Sequence, residues 1–286
     1  MIVNKSIRCH RLGILSFPLP SKYFNKNTFQ SRSLVTEVTV KYQGPVACIG
    51  INRPHMKNCL TPVIAAKLKE AIELLENNDR ASVGVLYGER GTFSYGIHPE
   101  DLQNNSNIYE EILNTGLLDK YPRKPIVAAV SGYAIGLAFD LALWCDFRIT
   151  EDTAVLASYA RNSGIPTNCR LTKRLVSCVG SHRALDWLLS GRPVKPKEGL
   201  EAGAVTRIVA CGSGLGQAVN FAHSLANMPQ CSLRADRALI YSETGKFENN
   251  EEILAEWKLN HSKALLEVEE GVHITKSGDV RHKEWK

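Results

Sequence analysis

After residue 36 the apolar positions fall into two kinds of pattern, short continuous runs and stripes repeating every three or four residues. Residues 37–42 (EVTVKY) and 46–51 (VACIGI) read as two strands, because β-branched and apolar residues fill them and Gln43, Gly44 and Pro45 supply a turn between. Thr61 and Pro62 then open a helix: threonine can cap it, proline suits its first turn, and Ile64, Leu68, Ile72 and Leu75 keep helical spacing. Residues 82–87 (SVGVLY) and 125–130 (PIVAAV) are short apolar runs, bounded by Gly88 and by Ser131-Gly132, and predict buried strands. A helix is expected over 108–118. Residues 136–145 are apolar nearly all round, which predicts a helix buried on every side, and 146–150 returns as a strand. Strands alternating with helices imply an α/β domain with a mainly parallel sheet.

From residue 170 helical spacing dominates, over 171–179, 182–189 and 196–202, with one strand at 205–210. Two long helices, about 217–228 and 250–271, are expected to close the chain. The last sets Ile253, Trp257, Leu265 and Leu266 among many charges, the pattern of an amphipathic helix that packs on a partner or on its own subunit. Residues 211–216 (CGSGLG) lie between a strand and a helix and resemble a dinucleotide loop. The spacing is GxGxG where GxGxxG is needed, and no acidic residue follows at the right distance, so a strand-to-helix turn is the better reading.

Charge changes this picture at one end only. The formal net charge is +6, and residues 1–36 hold six basic residues, Lys5, Arg8, Arg11, Lys22, Lys26 and Arg32, and no acidic one. The remaining 29 Lys and Arg face 29 Asp and Glu, so the body is formally neutral. A basic, serine-containing, acid-free start is the composition of a mitochondrial transit peptide, expected over 1–35 and pointing to the mitochondrial matrix. A neutral body argues against a nucleic-acid footprint. No apolar run approaches the length of a membrane span. Eight scattered cysteines without a CxxC pair, and no HExxH, predict reduced, mostly buried thiols and no metal site.

The candidate chemistry lies in two loops. In each, a predicted strand ends, a glycine-containing loop turns, and a helix begins: residues 91–102 (GTFSYGIHPEDL) after the strand at 82–87, and residues 132–140 (GYAIGLAFD) after the strand at 125–130. Backbone N–H groups at such turns can stabilise an oxyanion, and a nearby carboxylate can move a proton. With Asn52-Arg53-Pro54 and Asn58-Cys59-Leu60 before them, and the run from Gly132 through Asp140 to Cys145-Asp146, these motifs resemble those of the crotonase (enoyl-CoA hydratase/isomerase) superfamily. Leu189-Ser190-Gly191-Arg192 and the stretch from Gly203 to Val209 are similar to that family's segment before its helical end.

The resemblance implies a crotonase-type spiral of ββα units over 36–210, a helical C-terminal region over 211–286 used for oligomerisation, and a homotrimer or homohexamer. It implies that Ile97 and Leu137 supply the oxyanion N–H groups, that Asp140 is the acid/base, and that Lys57, Asn58 and Cys59 lie beside the coenzyme A moiety. Coenzyme A enters as part of an acyl-CoA substrate, with no separate cofactor. Three departures stand out. Leu137 replaces the family's oxyanion glycine, Asp140 replaces a glutamate and is shorter by one methylene, and the second glutamate position, with Ala160 the best match, has no carboxylate anywhere in 153–166. Two functions follow from this, a hydratase or isomerase acting on an unsaturated acyl-CoA, or a crotonase-fold binding or scaffold protein without turnover.

Overall fold

The structure, a computed structural model, describes residues 37–158, 167–244, 250–265 and 268; the expected transit peptide and Ala160 lie outside them. β1 (Val38–Gln43) and β2 (Val46–Ile51) form an antiparallel hairpin through the turn at Gly44. α1 (Pro62–Glu76) follows, capped as its sequence predicts, with the Thr61 side chain accepting from the Ile64 N–H and with Ile64, Leu68, Ile72 and Leu75 buried. β3 (Val83–Gly88) is fully apolar on its inner residues and pairs parallel with β2.

From β3 onward the chain advances as a spiral. Each turn places one strand in the large sheet, one short extended segment in a second layer, and then a helix. In the first turn β3 leads to Ser94, which bridges Ala134, and then to α2 (Pro99–Asn104) and α3 (Ile108–Asn114). In the second, β4 (Ile126–Val130) leads to β5 (Tyr133–Ile135) and α4 (Leu137–Trp144). In the third, β6 (Phe147–Glu151) leads to β7 (Val155–Ala157) and, beyond residue 166, to α5 (Cys169–Ser190). The large sheet runs β1-β2-β3-β4-β6 and ends on β8 (Arg207–Val209), parallel except for β1, and β5 pairs with β7 in the small layer. This is the expected ββα architecture.

α5 is the two expected helices joined at Gly180, whose φ of 75° breaks the helical run. α6 (Pro196–Glu201) and β8 (Arg207–Val209) complete this part. α7 (Gly214–Ala226) covers the outer face of the large sheet, packing Ala218, Val219, Phe221 and Ala222 on Val46, Val83, Val85 and Val127. α8 (Gln230–Thr244), not anticipated from the sequence, packs on α9 (Asn250–Ala264). Arg237 of α8 pins this pair to the body: its Nε donates to Asp146 Oδ1 at 2.7 Å and its Nη1 to the Pro122 carbonyl, while Tyr241 donates to the same Asp146 oxygen. Asp146 Oδ2 accepts from the first amide of β4, Ile126 N–H, at 2.7 Å.

The CGSGLG segment is a turn occupied by the protein itself. Glu151, 5% exposed, accepts from both the Gly212 and Gly214 N–H groups at 3.0 Å. An anion already fills the position a ligand phosphate would take. Among the described residues no helix is long and apolar enough to cross a membrane.

Candidate active site

The small layer of the spiral ends at one cavity of about 240 Å³. Its apolar lining residues include Ile97, Pro99, Leu102, Ile135, Leu137 and Leu171, and its polar ones Tyr109, Asp140, Ser158, Thr167 and Asn168. Ile97, Leu137 and Asp140, all singled out from sequence, are thus brought together.

The backbone holds the two loops against each other. Ser94 N–H donates to the Tyr133 carbonyl at 2.8 Å, and Ile135 N–H to the Ser94 carbonyl at 3.3 Å. Gly96 adopts φ of 78°, and a Cβ there would stand 2.3 Å from the Ile135 carbonyl oxygen and 3.4 Å from the Leu137 nitrogen. Only glycine fits so close an approach. Gly136 takes φ of 57° and starts α4 at Leu137, so the Leu137 amide is one of the first N–H groups of a helix, which lack intrahelical acceptors. Neither the Ile97 nor the Leu137 amide has a hydrogen-bond partner among the described residues. The Leu137 side chain is 5% exposed, packed in the core while its residue borders the cavity.

The Asn52–Leu60 motif braces the first loop. Lys57 and Asn58 take positive φ, 48° and 56°. The Asn58 side chain accepts from Arg53 N–H at 2.8 Å and donates to the Glu89 and Thr92 carbonyls at 3.0 and 2.6 Å. Leu60 N–H donates to the Gly96 carbonyl, and Tyr95 N–H to the Lys57 carbonyl. Asn58 and Cys59, expected beside coenzyme A, therefore have their side chains inside the protein: Asn58 is fully buried, and burial pushes the Cys59 thiol up to about 11. The Asn58 side chain holds the loop, and the Cys59 side chain is buried beside it in sequence. Lys57 is the exposed member, its Nζ 5.2 and 5.6 Å from the rings of Tyr95 and Tyr133.

Asp140, in the first turn of α4, is completely buried. Its neighbours Phe139 and Leu141 offer it no polar partner, and the compensating cation comes from α5. Arg174 Nη1 donates to Asp140 Oδ1 at 2.6 Å, and Arg174 Nη2 to the Leu118 carbonyl at 2.7 Å. Asn168, the N-cap of α5, reaches Asp140 Oδ2 at 3.4 Å and donates to the Tyr109 hydroxyl at 2.6 Å. Burial pushes the Tyr109 phenol up; the Asn168 bond opposes this, and the Asp140 charge adds to it. Arg174, Asn168 and Tyr109 were not singled out from sequence. Arg174 could have been, since it lies on the apolar stripe of Leu171, Leu175 and Cys178, where a cation needs a buried partner.

The ββα spiral thus brings the Ile97 and Leu137 amides, without partners among the described residues, and the Asp140 carboxylate to one cavity. The enoyl-CoA hydratase/isomerase family profile matches residues 41–274, and the chain belongs to that family. It is 27% identical over 225 residues to the "Probable enoyl-CoA hydratase, mitochondrial" of Dictyostelium discoideum, covering 77% of this chain and 78% of that one. It is 27% identical over 210 residues to the 2,3-dehydroadipyl-CoA hydratase of Escherichia coli, covering 70% and 80%. The solved enoyl-CoA hydratase subunit I of Geobacillus kaustophilus superposes with a TM-score of 0.74 at 26% identity, over 84% of this chain and 95% of that one. The fold is of the crotonase type.

Proposed function

We propose that the protein binds an unsaturated acyl-CoA and hydrates or isomerises it. The observation that supports this best is the meeting of Ile97, Leu137 and Asp140 on one cavity, with both amides uncommitted. The thioester carbonyl lies against the two amides, which stabilise the negative charge that develops on its oxygen. Asp140 takes a proton from water as the hydroxyl adds to the β-carbon and then gives that proton to the α-carbon, which restores the carboxylate; in isomerisation it moves a proton between two carbons. Lys57, at the surface beside Tyr95 and Tyr133, meets the coenzyme A moiety. The proposal calls on no metal or separate cofactor.

A matrix location fits the acid-free basic start and the mitochondrial designation of the Dictyostelium relative. A homotrimer or homohexamer built through the C-terminal helices fits the exposed Ile240, Leu254 and Leu259 on α8 and α9. One observation favours the second reading, a binding protein without turnover: the Asp140 carboxylate is bound to Arg174, on a side chain one methylene shorter than the family's glutamate. Purified protein and its Asp140→Asn variant, assayed on crotonyl-CoA, decide between them. The enzyme reading predicts turnover that the variant loses while keeping affinity for the thioester. Equal trace activity in both would leave the binding protein.

A further inference from the structure

Among the described residues the Asp140 carboxylate is held from one element, α5. Arg174 Nη1 donates to Oδ1 at 2.6 Å, whereas Asn168 Nδ2 reaches Oδ2 only at 3.4 Å. Asn168 lines the cavity and Arg174 does not, so Oδ2 is the oxygen on the cavity side and Oδ1 the one turned to the interior. The ion pair therefore takes up one oxygen and leaves the other for chemistry.

Arg174 is itself held. Its Nη2 donates to the Leu118 carbonyl at 2.7 Å, and its side chain is buried. Leu118 lies in a segment fastened on three sides. The Thr115 carbonyl accepts from Lys69 of α1, the Lys120 carbonyl from the Trp144 indole of α4, and the Pro122 carbonyl from Arg237 of α8. A guanidinium is a planar fork, so fixing one prong fixes the direction of the other. The fork thus ties Asp140 to the position of the 115–122 segment. Charge compensation alone needs a buried cation but no such second anchor.

Placement of the carboxylate is critical here, because it stands on one methylene where the family's glutamate has two. A misplacement of about 1 Å can cost about a hundredfold in rate. On the acyl-CoA reading above, on which this inference rests, we propose that Arg174 is a positioning residue for the reaction. Anchored on Leu118, it holds Oδ1 and sets Oδ2 where that oxygen exchanges a proton with water and the α-carbon. Arg174 acts through Asp140 and touches no substrate. The ion pair is then part of a working site and not the mark of a silent one.

The test uses the full protein and the variants Arg174→Lys, Arg174→Met and Arg237→Met, each assayed well below its melting temperature. Arg174→Lys keeps a cation but puts a single nitrogen in place of the fork, and it decides the matter even where Arg174→Met does not fold. Arg237→Met breaks a second buried arginine–aspartate pair, at Asp146, away from the cavity lining, and controls for lost stability. Steady-state kcat and KM are measured on crotonyl-CoA, and affinity for the saturated butyryl-CoA by calorimetry. Both Arg174 variants are expected to lose at least about tenfold in kcat while KM and butyryl-CoA affinity stay within about twofold. Arg237→Met is expected to keep kcat within about twofold. Full kcat in Arg174→Lys would show that charge alone suffices and overturn the positioning role. An equal fall of kcat in Arg237→Met, or a loss of butyryl-CoA affinity that matches the loss of kcat, would overturn it too. Turnover lost in Asp140→Asn yet kept in both Arg174 variants would overturn it and leave the acyl-CoA reading standing. Unaltered protein that turns over no enoyl-CoA would overturn the enzyme reading and the positioning role with it.

Discussion

Substituting Arg174 with methionine separates a structural from an incidental contact at Asp140. The two side chains are 2% and 1% exposed and 2.6 Å apart, so neither charge is screened by water. Methionine keeps much of the volume but leaves the Asp140 carboxylate buried without its cation and the Leu118 carbonyl without its donor. Breaking a buried pair on one side costs about 3–5 kcal/mol, whereas replacing both partners by uncharged groups costs far less. At about 2–4 °C per kcal/mol for a chain of this size, Arg174→Met should lower Tm by about 10 °C. Urea unfolding of Arg174→Met, Asp140→Asn and the double variant forms a cycle, and the double variant should be more stable than the two single losses predict by at least about 2 kcal/mol. A single-variant loss below about 1 kcal/mol, or strict additivity, would refute the ion pair as the reason Asp140 tolerates its site.

Gly96→Ala should abolish thioester binding measured by calorimetry, since its Cβ would collide with the Ile135 carbonyl at 2.3 Å and displace the two loops; retained affinity would show that their approach is not needed. At pH 8 a thiol-alkylating reagent followed by mass spectrometry should label the exposed Cys169 and Cys211 quickly. Cys48 and Cys59 should be spared, because burial pushes both thiols up to about 11 and leaves them almost wholly protonated.

Much of this was legible in the sequence wherever one local signal fixed an element. The span of β2 matches its apolar run residue for residue, Thr61 and Pro62 start α1 as capping rules require, and the apolar residues 136–145 do form a buried helix. The spiral's second layer was not legible, because β5 and β7 are three residues each and carry no period of their own. α8 was missed because its buried face is made of Ala235, Ala238, Tyr241 and Arg237, small or polar residues that leave no apolar stripe. At the site, the loop glycines stood out at two strand-to-helix turns, and Asp140 through the family resemblance. The partners of Asp140 did not: Arg174 is 34 residues away, and only the fold brings α4 and α5 together. The Asn58 motif carries a further role that its spacing did not disclose, a side-chain brace on the backbone at Glu89 and Thr92.

The central claim is that a thioester carbonyl lies between the amides of Ile97 and Leu137. A crystal structure with an unreactive acyl-CoA analogue tests it most directly. The account predicts the thioester oxygen within about 2.7–3.1 Å of both nitrogens, with the acyl group in the cavity beside Asp140. A thioester bound elsewhere, or an oxygen touching neither amide, would contradict it.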